Sequence, residues 1–375
     1  MSDPLEEWRL PTKARKGRGA IGNPDGRFEC RQRVAIDDGW ARPAAMADDA
    51  AGSDDDALPP LATTVGLDKT RTIIARNDSP DLPFEQSINP YRGCEHGCVY
   101  CYARPSHAYF GLSSGLDFET KLFMKPDAAR LLAGELRRPG YRPLPIALGT
   151  NTDPYQPIER THRLTRQIIE TLGEFGHPFT IVTKSALVTR DLDLLAPLAK
   201  RRLCKVFVSV TTIDGELARR LEPRASTPRR RLAAIGALAS AGVPTGVMAA
   251  PMIPALNDSQ LEAILEAAAQ AGAVSAGYTI LRLPHEIKDL FAEWLETHAP
   301  LKAKHVMTLI RETRGGRLND PNFGSRMRGQ GHYALLIATR FKLACKRLGL
   351  NKNDWRLDTT QFHPPPQAGD QLALL

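Results

Sequence analysis

Cys94-Glu95-His96-Gly97-Cys98-Val99-Tyr100-Cys101 places three cysteines within eight residues, and its spacing constrains the chemistry of the chain more tightly than any other segment. A structural zinc site closes a tetrahedron, and its usual pattern pairs two Cys-x-x-Cys hairpins or a cysteine pair with a histidine pair. Here a Cys-x-x-x-Cys-x-x-Cys loop offers three thiolates and stops. Three thiolates on one short loop can hold three irons of a 4Fe–4S cube and leave the fourth iron open to an outside ligand. An iron with an open position supports chemistry, whereas a fully ligated cube mainly carries electrons. Gly93 and Gly97 let the backbone fold closely around such a cluster. Two other readings stay open at this level: His96 or His107 completes a zinc site, or the thiols are reduced and free.

The 375 residues suffice for one large domain with extensions or for two domains. A formal net charge of +8 suits a chain that meets nucleic acid or another anionic partner, and is also common in ordinary enzymes. Cys30, Cys204 and Cys345 are isolated, so no disulfide framework is expected and a reducing, cytoplasmic setting fits best. No apolar run approaches the roughly 18 residues of a membrane helix, and the polar, basic start lacks the apolar core of a signal peptide, so no membrane partner is expected.

Composition changes sharply near residue 65. Before it lie the basic stretch Lys13-Ala14-Arg15-Lys16-Gly17-Arg18-Gly19 and an Ala/Asp tract from Ala44 to Ala57, which have little to bury. Residues 1–68 are therefore expected to be a largely disordered extension and linker, with Phe28 and Trp40 as aromatics able to dock on the main body. Beyond residue 70 strands and helices alternate, which argues for a parallel sheet of βα units. Strands are expected at 85–90, 145–150, 179–183, 205–211, 245–250 and 276–281, with helices around 161–175, 191–200, 229–241 and 259–271. The helix near Arg229 carries Leu232, Ile235, Leu238 and Ala239 at helical spacing and ends at Gly242.

The cysteine spacing, with Tyr100 directly before the last cysteine, resembles the radical S-adenosylmethionine (radical SAM) superfamily, and the strand ends resemble its spore-photoproduct-lyase-like subgroup over roughly residues 70–350. The resemblance implies an α/β fold, a partial, open (β/α)6 TIM-type barrel, with the core at 69–300 and a helical and loop extension at 301–375 covering it. It implies a 4Fe–4S cluster held by Cys94, Cys98 and Cys101, and S-adenosyl-L-methionine chelated to the free iron, with Tyr100 beside its adenine. Functional groups of such barrels gather at the C-terminal ends of the strands. Carried over on that basis, Asn151 approaches the cofactor's amino group with Asp153 nearby, Lys184 and Ser209 contact its methionine and ribose parts, and Arg224 is placed to pair with its carboxylate. The plain alternative for each is a helix cap or a loop-stabilising hydrogen bond.

The implied activity is reductive cleavage of S-adenosylmethionine, driven by an external one-electron donor of flavodoxin or ferredoxin type, to a 5′-deoxyadenosyl radical that abstracts hydrogen from a substrate. The subgroup's cysteine hydrogen donor at the end of the second core strand has no counterpart between Leu148 and Asp153, so a lesion lyase would need a different relay. A non-catalytic zinc or iron–sulfur module binding nucleic acid is the rival class. Cys204, at a strand start, and Cys345, on an amphipathic helix with Ile337, Phe341 and Leu348, read as buried core thiols. The arginine-, glycine- and aromatic-rich stretch 314–333 reads as a lid over the open side of the barrel, or as a surface for a nucleic acid or nucleotide substrate.

Overall fold

The computed structural model describes residues 12–30, 34, 36, 61–352 and 355–366. In chain order its strands are β1 (Thr64–Leu67), β2 (Ile74–Arg76), β3 (Gln86–Ile88), β4 (Tyr91–Arg92), β5 (Lys121–Met124), β6 (Ile146–Leu148), β7 (Phe179–Thr183), β8 (Cys204–Ser209), β9 (Thr245–Met252) and β10 (Ser275–Ile280). Six of them, β3, β6, β7, β8, β9 and β10, lie side by side in chain order, and every neighbouring pair is parallel. This is the expected α/β barrel of six βα units. It does not close on itself: β10 forms one edge, and β2, antiparallel to β3, forms the other.

The strands are short and apolar because they are covered on both faces. Ile146, Leu148, Ile181, Val206, Val208 and Val247 are buried in one core with Ile168, Leu172, Leu195, Ile235, Leu238, Ile264 and Leu265 from the outer helices. Each such side chain contributes about 1.5–3 kcal/mol through removal from water. The helices Leu164–Glu174, Leu192–Lys200, Pro228–Ser240 and Leu261–Gln270 match the four expected segments closely. Thr227 caps the third of them, its hydroxyl accepting from Arg230 N. Cys204 opens β8, its buried thiol directed at Leu195 O, and Cys345 is buried on the last helix, Gly331–Leu348. That helix packs on Leu261–Gln270, and Phe341 meets Tyr278 at 4.6 Å between ring centroids.

Two features were not expected from the sequence, apart from the docking of Phe28. A second, three-stranded sheet in the order β1-β5-β4 flanks the cysteine loop. Residues 12–30, within the stretch expected to be largely disordered, instead form a strap against the barrel. Ala20 and Ile21 are buried, and Phe28 docks on Tyr109 at 5.2 Å. The strap's apolar content is low because backbone N–H groups and Arg18 make its contacts. The Ala44–Ala57 tract and Trp40 lie outside the described residues.

After β10 come the helices Ile287–His298 and Pro300–Glu312, which supply Phe291, Trp294, Val306 and Ile310 to a second core shared with Cys98, Val99 and Tyr100. The loop 313–330 then runs along the β10 edge. Ile280 N donates to Met327 O at 3.0 Å, and the buried Arg314 donates to Ile280 O, Leu281 O, Ser325 O and Arg326 O. Arg326 Nε reaches Asp81 Oδ2 at 2.7 Å, and Gly324 N reaches Asp81 Oδ1 at 2.7 Å. Asp81 precedes β3, so this contact spans the open seam between the two sheet edges.

Candidate active site

The cysteine loop follows β4 and leads into the short helical segment Arg104–Phe110. It is a chain of turns, with Gly97 N bonded to Cys94 O, Cys101 N to Cys98 O and Arg104 N to Cys101 O. Gly93 and Gly97 take φ of +72° and +68°, and a Cβ on Gly97 would stand 2.7 Å from Glu119 Oε2. The side chains required at such positions are none at all. Neighbouring segments bind the loop's remaining backbone groups: Cys94 N donates to Phe118 O, Val99 N to Leu221 O, and Arg224 N to His96 O.

Cys94 and Cys98 are buried and Cys101 nearly so. Burial pushes all three thiols above their ordinary value; Asp153 and the other two cysteines add to this at Cys94, and Glu222 and Cys101 at Cys98. Against these effects stand Lys184, which favours thiolate at Cys98 and Cys101, Arg231 at Cys98 and Arg104 at Cys101. Soft thiols on one short loop, screened from water and with cations beside Cys98 and Cys101, fit an anionic iron–sulfur–thiolate group. The zinc reading fares worse. His107 Nε2 is 2.9 Å from Lys121 O inside a cage of Phe110, Phe118 and Phe123, and His96 Nδ1 faces Asp153 Oδ2 at 3.3 Å. Among the described residues no three His, Cys, Asp or Glu side chains, the three cysteines included, are grouped around a single ion position.

Lys184, just past β7, enters the same region. Its Nζ lies 5.7 Å from the Tyr100 ring centre, 3.3 Å from Ala250 O and 3.5 Å from Glu222 Oε1. Burial lowers the proton affinity of this ammonium, and Cys98 works in the opposite direction. Tyr100 donates its hydroxyl to Glu222, which also accepts from Thr211 Oγ1 at 2.6 Å and from the buried Arg231. Glu222 and Arg231 were not singled out as site residues. Glu222 lies in the loop after β8, and its tie to Tyr100 spans 122 positions, beyond any local pattern.

The other expected groups divide. Ser209 ends β8, buried, with its carbonyl bound by Arg231. Asn151 follows β6; its N–H donates to Asn89, and its side-chain amide makes no hydrogen bond among the described residues. The neighbouring Thr150 O accepts the hydroxyl of Tyr102, over whose ring Arg282 sits at 4.9 Å. Asp153 is saturated: it accepts from Thr183 Oγ1 at 2.7 Å, Lys184 N at 2.6 Å and Tyr155 N at 2.8 Å, and it faces His96. Burial pushes its carboxyl up, but His96 and these donors together hold it below its ordinary value. Arg224 does not join Lys184 and Tyr100; its guanidinium pairs with Glu95 at 3.0 Å on the flank of the loop.

Residues 88–268 match the radical SAM superfamily. An uncharacterised protein of Mycobacterium tuberculosis (strain H37Rv) is 40% identical over 265 residues, covering 70% of this chain and 76% of that one. An uncharacterised protein of Methanocaldococcus jannaschii is 28% identical over 171 residues, covering 46% of this chain and 61% of its own. Among solved structures, spore photoproduct lyase complexed with dinucleoside spore photoproduct superposes with a TM-score of 0.53 at 17% identity, covering 76% of this chain and 80% of the lyase, a likeness of fold. The chain belongs to the radical SAM superfamily. It is an enzyme of that class, and its cofactors are a 4Fe–4S cluster and S-adenosyl-L-methionine, with an external reductant and a substrate as partners. No helix among the described residues is long and apolar enough to cross a membrane.

Proposed function

We propose that Cys94, Cys98 and Cys101 ligate the cluster and that S-adenosylmethionine lies beside Tyr100, with Lys184, Ser209 and Asn151 as its polar contacts. The observation that supports this reading is that Cys98, Cys101 and Tyr100 pack in one core, with the Lys184 ammonium 5.7 Å from the Tyr100 ring centre, beyond the C-terminal end of β7. When bound and reduced by one electron, the pair of cofactors supplies a 5′-deoxyadenosyl radical that abstracts hydrogen from a substrate. The chain's part is to hold and to exclude. Glu222 fixes the Tyr100 ring, Lys184 presents a cation to an anionic group, and the second core keeps water from Cys98 and Val99. Asp153 is assigned to positioning the loops after β6 and β7, and Arg224 to bracing Glu95. Residues 69–300 are taken as the core and 301–375 as its cover, which the packing of Val306 and Ile310 with Val99 supports.

The reductant is proposed to be a flavodoxin or ferredoxin, and the substrate an anionic molecule, a nucleotide or nucleic acid. Arg282 supports the latter: it stands over Tyr102, next to the last cysteine, and no acidic side chain among the described residues hydrogen-bonds it. The test is anaerobic reconstitution with iron and sulfide, followed by reduction with S-adenosylmethionine present. The wild type is expected to release 5′-deoxyadenosine and Cys98→Ala none. A fully loaded wild type that releases none under a competent reductant overturns the proposal.

A further inference from the structure

The strap makes its closest approach on the backbone of the cysteine loop. A Cβ built on Gly19 would stand 1.8 Å from Gly97 O and 2.9 Å from Gly97 C, so only glycine permits the contact. From there the N–H groups of Gly19 and Ala20 donate to Glu119 Oε2 and Oε1 at 2.9 and 2.8 Å. Glu119 is fully buried and also accepts from Arg104, which is fully buried too. Every N–H of the Arg104 guanidinium has a partner. Nε donates to Cys98 O at 2.8 Å, Nη2 to Gly97 O at 3.1 Å and to Glu119, and Nη1 to Ser114 O and Gly115 O. Arg18 ties the other flank: Nη1 reaches Glu119 O at 2.9 Å and Nη2 reaches Thr63 Oγ1 at 3.0 Å, while Thr63 donates to Glu95 Oε1 at 2.7 Å.

The strap thus touches or binds, directly or through one or two buried side chains, Glu95, Gly97 and Cys98 of the loop. A run of turns with two left-handed glycines has little stiffness of its own, and a metal-binding constellation needs its supporting shell to fix it. We infer that the strap residues Arg18 to Ala20 are positioning residues of the cluster site, holding the Gly97–Cys98 backbone in the shape that presents the three thiols together. This rests on the reading that those thiols ligate the cluster. Gly22, on the same strap, is the internal contrast, because a Cβ there meets only the flexible Glu293 carboxylate, at 3.0 Å.

The test uses full-length protein, reconstituted anaerobically, as wild type, Gly19→Ala, Arg18→Gln and Gly22→Ala. Iron release to a chelator, the EPR signal of the reduced cluster and its reduction potential are read on each. Gly19→Ala and Arg18→Gln are expected to release iron about tenfold or more faster than wild type, with altered EPR signal and potential, and Gly22→Ala is expected to match wild type. Arg18→Gln adds no bulk and keeps the test open if Gly19→Ala fails to fold. A wild type that holds its cluster, beside Gly19→Ala and Arg18→Gln variants with the same release rate, signal and potential, overturns the strap inference and leaves the ligand reading standing. A wild type that takes up no more iron than Cys98→Ala overturns the ligand reading, and the strap inference with it.

Discussion

The hydroxyl of Tyr100 donates to the buried carboxylate of Glu222, and the same carboxylate holds Thr211, Arg231 and Lys184. One residue of the cysteine loop is therefore joined to a node assembled from two further βα units, those of β7 and β8. Tyr100→Phe removes one donor from a charged acceptor that keeps others, at a cost of about 2 kcal/mol. Glu222→Gln leaves the buried Arg231 without its counter-charge and should cost about 3–5 kcal/mol. Urea unfolding of the metal-free proteins measures both, and the opposite order would show that the carboxylate is not the centre of the network.

Lys184→Met should weaken S-adenosylmethionine binding while leaving iron content unchanged. A charge-assisted hydrogen bond contributes about 1.5–3 kcal/mol, which corresponds to about ten- to hundredfold in Kd. Equilibrium binding to the reconstituted protein, with iron assayed on the same sample, separates a lost cofactor contact from a lost cluster. Equal affinity in the variant would remove Lys184 from the site.

Asp81 and Arg326 meet across the seam between β2–β3 and β10, both largely screened from solvent. A double-mutant cycle with Asp81→Ala and Arg326→Ala should give a coupling of about 1 kcal/mol or more. Hydrogen exchange of residues 318–328 should quicken in both single variants, with Gly324 N–H more affected by Asp81→Ala, which removes its acceptor. Additive effects would mean that the Asp81–Arg326 pair does not hold the loop.

His177 is fully buried, with Nδ1 3.0 Å from Pro178 O and Nε2 2.8 Å from the Tyr141 hydroxyl. Burial lowers its pKa from 6.5 to about 4. Between those values the unfolded chain binds a proton that the folded one does not, so stability rises with pH. The contribution is complete above 6.5 and is lost as pH falls toward 4, on the order of 3 kcal/mol at about 1.4 kcal/mol per pH unit. His177→Gln should flatten the stability profile across that window, and an unchanged slope in chemical unfolding at pH 4.5–6.5 would refute the assignment.

The parallel strands were legible because both faces are covered, so that Phe179–Thr183 or Cys204–Ser209 reads as an apolar run wherever it stands. The small sheet was not, since Tyr91–Arg92 has only two residues and Thr64–Leu67 is half-exposed and shows no clean alternation. Among site groups the cysteines and Tyr100 share a local spacing, and Lys184 lies directly after a recognisable strand. Asp153 and Arg224 were expected to face a cofactor. Residue type and position showed that each was polar and near a strand end, but Thr183, Tyr155 and Glu95 had to be placed in space before their hydrogen-bonding capacity was seen to be used. Phe28 was legible as a docking aromatic, but Glu222 and the Arg18–Ala20 part of the strap were not, for the same reason: their partners lie about a hundred residues away and are bound largely through backbone or through a single carboxylate.

The outer edge of β10 is covered by an irregular loop rather than by another strand, so no ladder of hydrogen bonds sets the circumference of the barrel on that side. Exposed positions of that loop, such as Arg317 and Phe323, can then be exchanged without breaking a strand pairing, whereas Arg314 and Met327 hold the end of β10. The strands carry the frame, and the exposed part of this loop carries a surface that can vary apart from it.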